Sequence, residues 1–160
     1  MRTQTGFTLI EALMVVAVLA VLAGAALPEL RSFMASQVVK TPASDLYASL
    51  AFARSEAIKR NAPIEVVPAA TDWAQGWAVR SQNPVEPALR TQNPYQRVSI
   101  SSSVAGTVTY GSNGRLSTSA TTFRVLVPGH PQARMRCVAV DVTGRPSVRI
   151  DKNTDQTACD

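Results

Sequence analysis

An apolar run near the start of the chain limits its fold more than any other feature. Residues 7–27 read FTLIEALMVVAVLAVLAGAAL and contain one charged side chain, Glu11. At 1.5 Å per residue such a run makes a helix of roughly 32 Å, enough to cross the hydrocarbon core of a bilayer. Arg2 is the only charged side chain ahead of it, and the positive-inside bias keeps that end cytoplasmic and exports the rest. A secretory signal cut near Ala23-Gly24-Ala25 and a plain anchor are the simpler readings of such a run. Glu11 argues against the secretory signal, because a carboxylate inside an apolar span costs roughly 3 kcal/mol and is rare without a use.

Pro28 follows the run. It lacks an N–H and disfavours helix at the residue before it, so a kink or local melting near residues 24–28 is expected, or a simple end to the span. Beyond it, Val39, Ala43, Leu46, Leu50, Ala53 and Ala57 recur at helical spacing. They form one apolar stripe on a helix expected to run to residue 60, with Pro42 as an interruption and Glu56 and Arg60 paired on the other side. That stripe needs a sheet to lie on. Strand patterns follow at 64–67, 76–80, 97–101, 106–110, 122–127, 135–142 and 147–151, with turns at Ser112-Asn113-Gly114 and Thr143-Gly144. Residues 81–96 hold Asn-Pro twice and read as a surface loop. Trp73 and Trp77 read as core packing rather than a ligand platform.

Few catalytic classes survive the composition. The chain has one histidine, His130, and two cysteines, Cys137 and Cys159. His130 sits in the turn-like Pro128-Gly129-His130-Pro131, phosphate-cradling glycine loops are missing, and no Cys/His cluster has zinc spacing. The reading is therefore not an enzyme, with no metal and no cofactor. In an exported chain Cys137 and Cys159 are expected to form a disulfide. Two free thiols, or a zinc site completed by His130, are the alternatives.

The string Gly6-Phe7-Thr8-Leu9-Ile10-Glu11 resembles the leader of type IV pilins and type II secretion pseudopilins. The resemblance implies that a prepilin peptidase cuts between Gly6 and Phe7 and methylates the Phe7 amine. It also implies that Glu11 sets register by pairing with the Phe7 ammonium of a neighbouring subunit. Residues 47–61, YASLAFARSEAIKRN, resemble the helix signature of the GspH/FimT family, and Tyr110-Gly111-Ser112-Asn113-Gly114-Arg115 and Val140-Asp141-Val142-Thr143-Gly144-Arg145 resemble its two Gly-Arg hairpins. That family comprises minor type IV pilins and the H-type minor pseudopilin of type II secretion. The implied fold is α+β and pilin-like: a long N-terminal helix packed on a β-rich domain of two antiparallel sheets. The implied division is a leader at 1–6, a transmembrane and filament-core helix at 7–28, an amphipathic helix at 29–61 and a periplasmic β-rich domain at 62–160. The implied setting is a single pass through the inner membrane. The implied partners are other major and minor pilins or pseudopilins, the peptidase and the inner-membrane assembly platform. Low copy number and a place near the filament tip, priming assembly or meeting cargo, follow from the same resemblance.

Net charge is +5, from 16 Lys+Arg against 11 Asp+Glu. Residues 115–149 hold Arg115, Arg124, Arg134, Arg136, Arg145 and Arg149 against Asp141 alone. Such a patch is an electrostatic footprint for phosphate. FimT-like members bind DNA near a C-terminal Gly-Arg-x-Arg motif. Here Ser147 stands at the second Arg position and Arg149 lies two further on. In a strand, 145, 147 and 149 share a face, while Val148 and Ile150 are expected to face the core. The candidate DNA-binding residues are Arg134, Arg136, Arg145, Arg149 and Lys152, with double-stranded DNA as ligand. Contact between subunits of a minor-pilin complex and a solvated rim, with Arg145 and Arg149 paired to Asp141, Asp151 or Asp155, are the other readings.

Overall fold

The computed structural model describes residues 8–131, 133–152 and 157–159, without the side chains of 26–29, 31 and 32. Helix α1 runs Leu9–Val38 and α2 runs Lys40–Arg60. Thr8 caps α1, its Oγ1 accepting the Glu11 N–H at 3.3 Å. Helix continues through Pro28, so the expected boundary between 28 and 29 is not a helix end. The break falls at Val39 instead. Pro42 accounts for it: its ring clashes with the carbonyl four residues back, and it offers that carbonyl no N–H.

The predicted stripe is fully committed. Val39, Ala43, Leu46, Leu50, Ala53 and Ala57 are all at most 1% exposed. Glu56 departs from expectation. It pairs with Arg60 at 2.7 Å, yet it is buried beside the stripe rather than on the opposite face.

Two four-stranded antiparallel sheets pack around α2. The strands are β1 Ile64–Pro68, β2 Trp77–Ser81, β3 Arg90–Gln92, β4 Ser99–Ser102, β5 Val108–Tyr110, β6 Thr121–Leu126, β7 Arg136–Val140 and β8 Pro146–Ile150. The first sheet has the order β3-β2-β1-β5 and the second β4-β6-β7-β8. Helix α2 touches β1, β2 and β5 of one and β7 and β8 of the other. Strand β3 lies inside the expected loop 81–96. Its residues are Arg-Thr-Gln, and as an edge strand it pairs only with β2, so it needs no apolar alternation. Both tryptophans are core, and Trp73 meets Phe123 edge-on at 4.8 Å.

The two Gly-Arg turns are built alike. In residues 111–115 the Gly114 N–H donates to the Gly111 carbonyl (2.8 Å) and the Gly111 N–H to the Arg115 carbonyl (2.9 Å). In residues 141–145 the Gly144 N–H donates to the Asp141 carbonyl (2.8 Å) and the Asp141 N–H to the Arg145 carbonyl (3.4 Å). Gly114 and Gly144 have φ of +73° and +80°, the left-handed region that closes short hairpin loops. The turns also touch. A Cβ on Gly144 would lie 2.1 Å from the Gly114 carbonyl oxygen, and one on Gly114 would lie 2.6 Å from Ile58 Cδ1 and 3.3 Å from Arg54 Nε. The helix signature and both hairpin motifs therefore meet at one point, where the two sheets abut α2. Tyr110 lies under this junction, and burial pushes its phenol well above the ordinary range.

Candidate functional site

Hairpin register decides which cations share a face. In the second sheet Ser101 pairs with Arg124, Arg124 with Cys137, and Cys137 with Arg149. Directly paired residues point to the same side, so these four form one row across the outer face. Thr122, Ala139 and Ser147 form the next row. The opposite side carries Phe123, Val138, Val140 and Val148 and packs on the core.

The sequence-predicted cations do not stay together. Arg145 and Arg149 are exposed and line one shallow hollow of about 500 Å³ with Thr122, Ala139, Asp141 and Ser147. The shared face expected for 145, 147 and 149 is present. Arg136 pairs with Val125 and Ile150 and therefore sits on the core side of the sheet. Arg134 is exposed beside the end of α1, its N–H donating to Ser36 Oγ at 3.3 Å. Lys152 is exposed beyond the far end of β8. Arg134, Arg136 and Lys152 thus lie at the open end of the β7–β8 hairpin, away from the 141–145 turn by its five-residue strands, roughly 14 Å. Ile150, expected in the core, is 50% exposed at that same end.

The row adds a residue that the candidate set omits. Arg124 faces outward beside Cys137 because it alternates with Phe123 and Val125. That period-2 pattern is visible in the sequence.

Asp141 attracts the Arg145 charge without forming a salt bridge to it. Its Oδ1 accepts from the Thr143 hydroxyl (2.5 Å), the Thr143 N–H (2.8 Å) and the Arg145 N–H (3.2 Å), so it stitches its own turn. Among the described residues neither Arg145 nor Arg149 forms a salt bridge. No contact ion pair with Asp141 is made, Asp151 is buried, and Asp155 lies outside the described residues. The Thr143 hydroxyl, and after it the Arg145 N–H, hold the Asp141 carboxyl below the usual carboxylate range. A carboxyl whose folded pKa is lowered stabilises fully above its unfolded pKa and loses that contribution as pH falls through the folded value. Asp141→Ala is therefore expected to unfold at lower urea than the parent chain at pH 7, with the gap closing in acid. Urea midpoints across that range check it, and a gap independent of pH would refute the assignment.

Cys137 and Cys159 form a disulfide, which takes both sulfurs and so removes the free-thiol and zinc alternatives. Gly6 and Phe7 lie outside the described residues. Glu11 occupies the first turn of α1, where a negative charge suits the helix N-terminus.

Residues 43–144 match the family described as type II transport protein GspH, a stretch of well over half the chain. The chain belongs to that family. Residues 1–27 match the prokaryotic N-terminal methylation motif. The GspH fold recurs in the type IV minor pilin FimU of Pseudomonas aeruginosa, with a TM-score of 0.63 and 20% identity over 76% of this chain and 98% of that one. It recurs also in the minor pseudopilin EpsH of the type 2 secretion system of Vibrio cholerae, with a TM-score of 0.54 and 12% identity over 70% and 94%. At these identities the likeness is one of fold. No curated protein matches the chain. For a GspH-family chain the α+β reading, a long helical stem on two antiparallel sheets, holds as expected.

Among the described residues no helix is long and apolar enough to cross a membrane. The run read from the sequence also takes in Phe7 and side chains 26–27, which lie outside them. Within α1, Leu9, Ile10, Leu13, Met14, Val16 and Leu19 are each more than half exposed.

Proposed function

We propose that this chain is a minor type IV pilin that primes pilus assembly near the tip and binds double-stranded DNA through Arg145 and Arg149. Phe7 becomes the methylated first residue once a prepilin peptidase has cut after Gly6. Residues 7–27 hold the subunit in the inner membrane, with the sheets in the periplasm, until the assembly platform extracts it. A helix apolar on all sides, as α1 is from Ala12 to Leu22, needs lipid or other helices around it, and membrane and filament supply these in turn. There Glu11 pairs with the Phe7 ammonium of a neighbour. Pro28 gives the stem a point at which to bend.

The observation that carries the DNA reading is the exposed pair Arg145 and Arg149, on one face and in no salt bridge among the described residues, with Asp141 the one carboxylate in their hollow. Such contacts are to the phosphate backbone, weakly sequence-specific and steeply salt-dependent. The test is fluorescence anisotropy of a labelled duplex with the full chain in neutral detergent, at low and moderate salt. Binding is expected to weaken roughly tenfold in Arg145→Ala/Arg149→Ala, and the salt slope to fall by about 1.8. Absence of binding at low salt would remove the DNA role and favour the second reading, an H-type pseudopilin of type II secretion. The family description speaks for that reading.

A further inference from the structure

The outer face of the second sheet is partly covered by the chain's own C-terminal residues. Cys159 is bonded to Cys137, which stands in the register row between Arg124 and Arg149. The Arg124 guanidinium donates through Nη1 to the Thr157 carbonyl and through Nε to Ser101 Oγ at 3.2 Å. Residues 157–159 enclose, with Ser103, Thr122 and Arg124, a hollow of about 250 Å³. Thr122 is shared with the hollow of Arg145 and Arg149. Arg124 is accordingly half-buried while its row neighbour Arg149 is exposed.

We propose that Arg124 is a third cation of the polyanion-binding face, withheld by residues 157–159 as a strap that the disulfide anchors. With the disulfide closed, the face ends at Arg149. With it open, the strap leaves, the guanidinium loses the Thr157 carbonyl, and the row Arg124–Arg149 becomes continuous. Opening requires a dithiol reductant: its two thiolates pass two electrons to the S–S bond and leave as a disulfide, and Cys137 and Cys159 take up the two protons as thiols. The ligand is the same as in the proposed function, so the inference rests on that reading, but the strap has a readout of its own.

Two measurements on the full chain in neutral detergent test it. In the first, a labelled DNA duplex is titrated with the parent chain, Cys159→Ser and Cys159→Ser/Arg124→Ala. Cys159→Ser is expected to bind roughly fivefold tighter with a salt slope larger by about 0.9, one added phosphate contact. Adding Arg124→Ala should remove both gains. In the second, phenylglyoxal labelling is followed by mass spectrometry before and after dithiothreitol, which also serves if Cys159→Ser does not fold. Arg124 should react several-fold slower than Arg149 in the closed chain and at a similar rate after reduction. Equal rates in the closed chain would overturn the strap. So would an unchanged affinity and slope in Cys159→Ser while Arg145→Ala/Arg149→Ala weakens binding. If none of the proteins binds DNA at low salt, the polyanion reading and Arg124's place in it fall together, and the labelling rates alone decide whether the strap covers Arg124.

Discussion

Gly144→Ala is expected to destabilise the chain by about 2–6 kcal/mol. Two costs combine. A side chain in the left-handed region costs roughly 1–3 kcal/mol, and Gly144 has a φ of +80°. The new methyl also falls 2.1 Å from the Gly114 carbonyl oxygen, a backbone atom. Relief requires the turns to part, and overpacking of that kind costs roughly 1–3 kcal/mol. Gly114→Ala is a control with the same φ problem but a softer obstacle. Its Cβ meets the end of Ile58, a side chain that is 52% exposed and able to swing away. Urea midpoints should rank the parent chain above Gly114→Ala and Gly114→Ala above Gly144→Ala. The reverse order of the two variants would show that the turns do not bear on one another.

Phe123→Ala is expected to cost about 3–5 kcal/mol, the range for emptying a buried aromatic site. Phe123 is 0% exposed and meets Trp73 edge-on at 4.8 Å. Trp73 opens the 3₁₀ turn Trp73–Gln75, which packs against β4, so the cavity is felt in both sheets. The variant should therefore change tryptophan emission as well as lower the urea midpoint. DNA affinity should hold wherever the variant is folded, because Phe123 lies on the side of the second sheet opposite Arg149. An unaltered midpoint would mean that the core closes over the gap.

Those alternating positions show what a sequence reveals and what it does not. The α2 stripe is legible because one face of a long helix must be apolar throughout, and all six of its named residues are buried. Strands with apolar alternation, such as β6 and β7, are legible for the same reason. Strand β3 is not: an edge strand of three polar residues satisfies its backbone on one side and buries little. The helix break is legible at Pro42, whose ring acts three to four residues upstream, and was not to be found at Pro28, which the helix absorbs. The basic patch is the instructive case. Arg136 and Arg149 are near neighbours in charge along the chain, yet the 141–145 turn fixes a register that places them on opposite faces. Arg124 and Arg149, 25 positions apart, stand in one row. Charge density can be read along a chain, whereas its grouping depends on pairing register, which only the folded hairpins define. The contact between the two Gly-Arg turns has no sequence signal beyond their repetition.

The joint between the helices also settles how the stem is coupled mechanically to the head. Val39 interrupts the helix but is 1% exposed, and Ala35, one turn earlier, is 7% exposed. The backbone of Arg134 grips Ser36 between them. Tension along α1 therefore reaches the sheets without passing through a slack linker. It loads packed side chains first, and the head must follow the tilt of the stem beyond Pro28 as a lever follows its shaft.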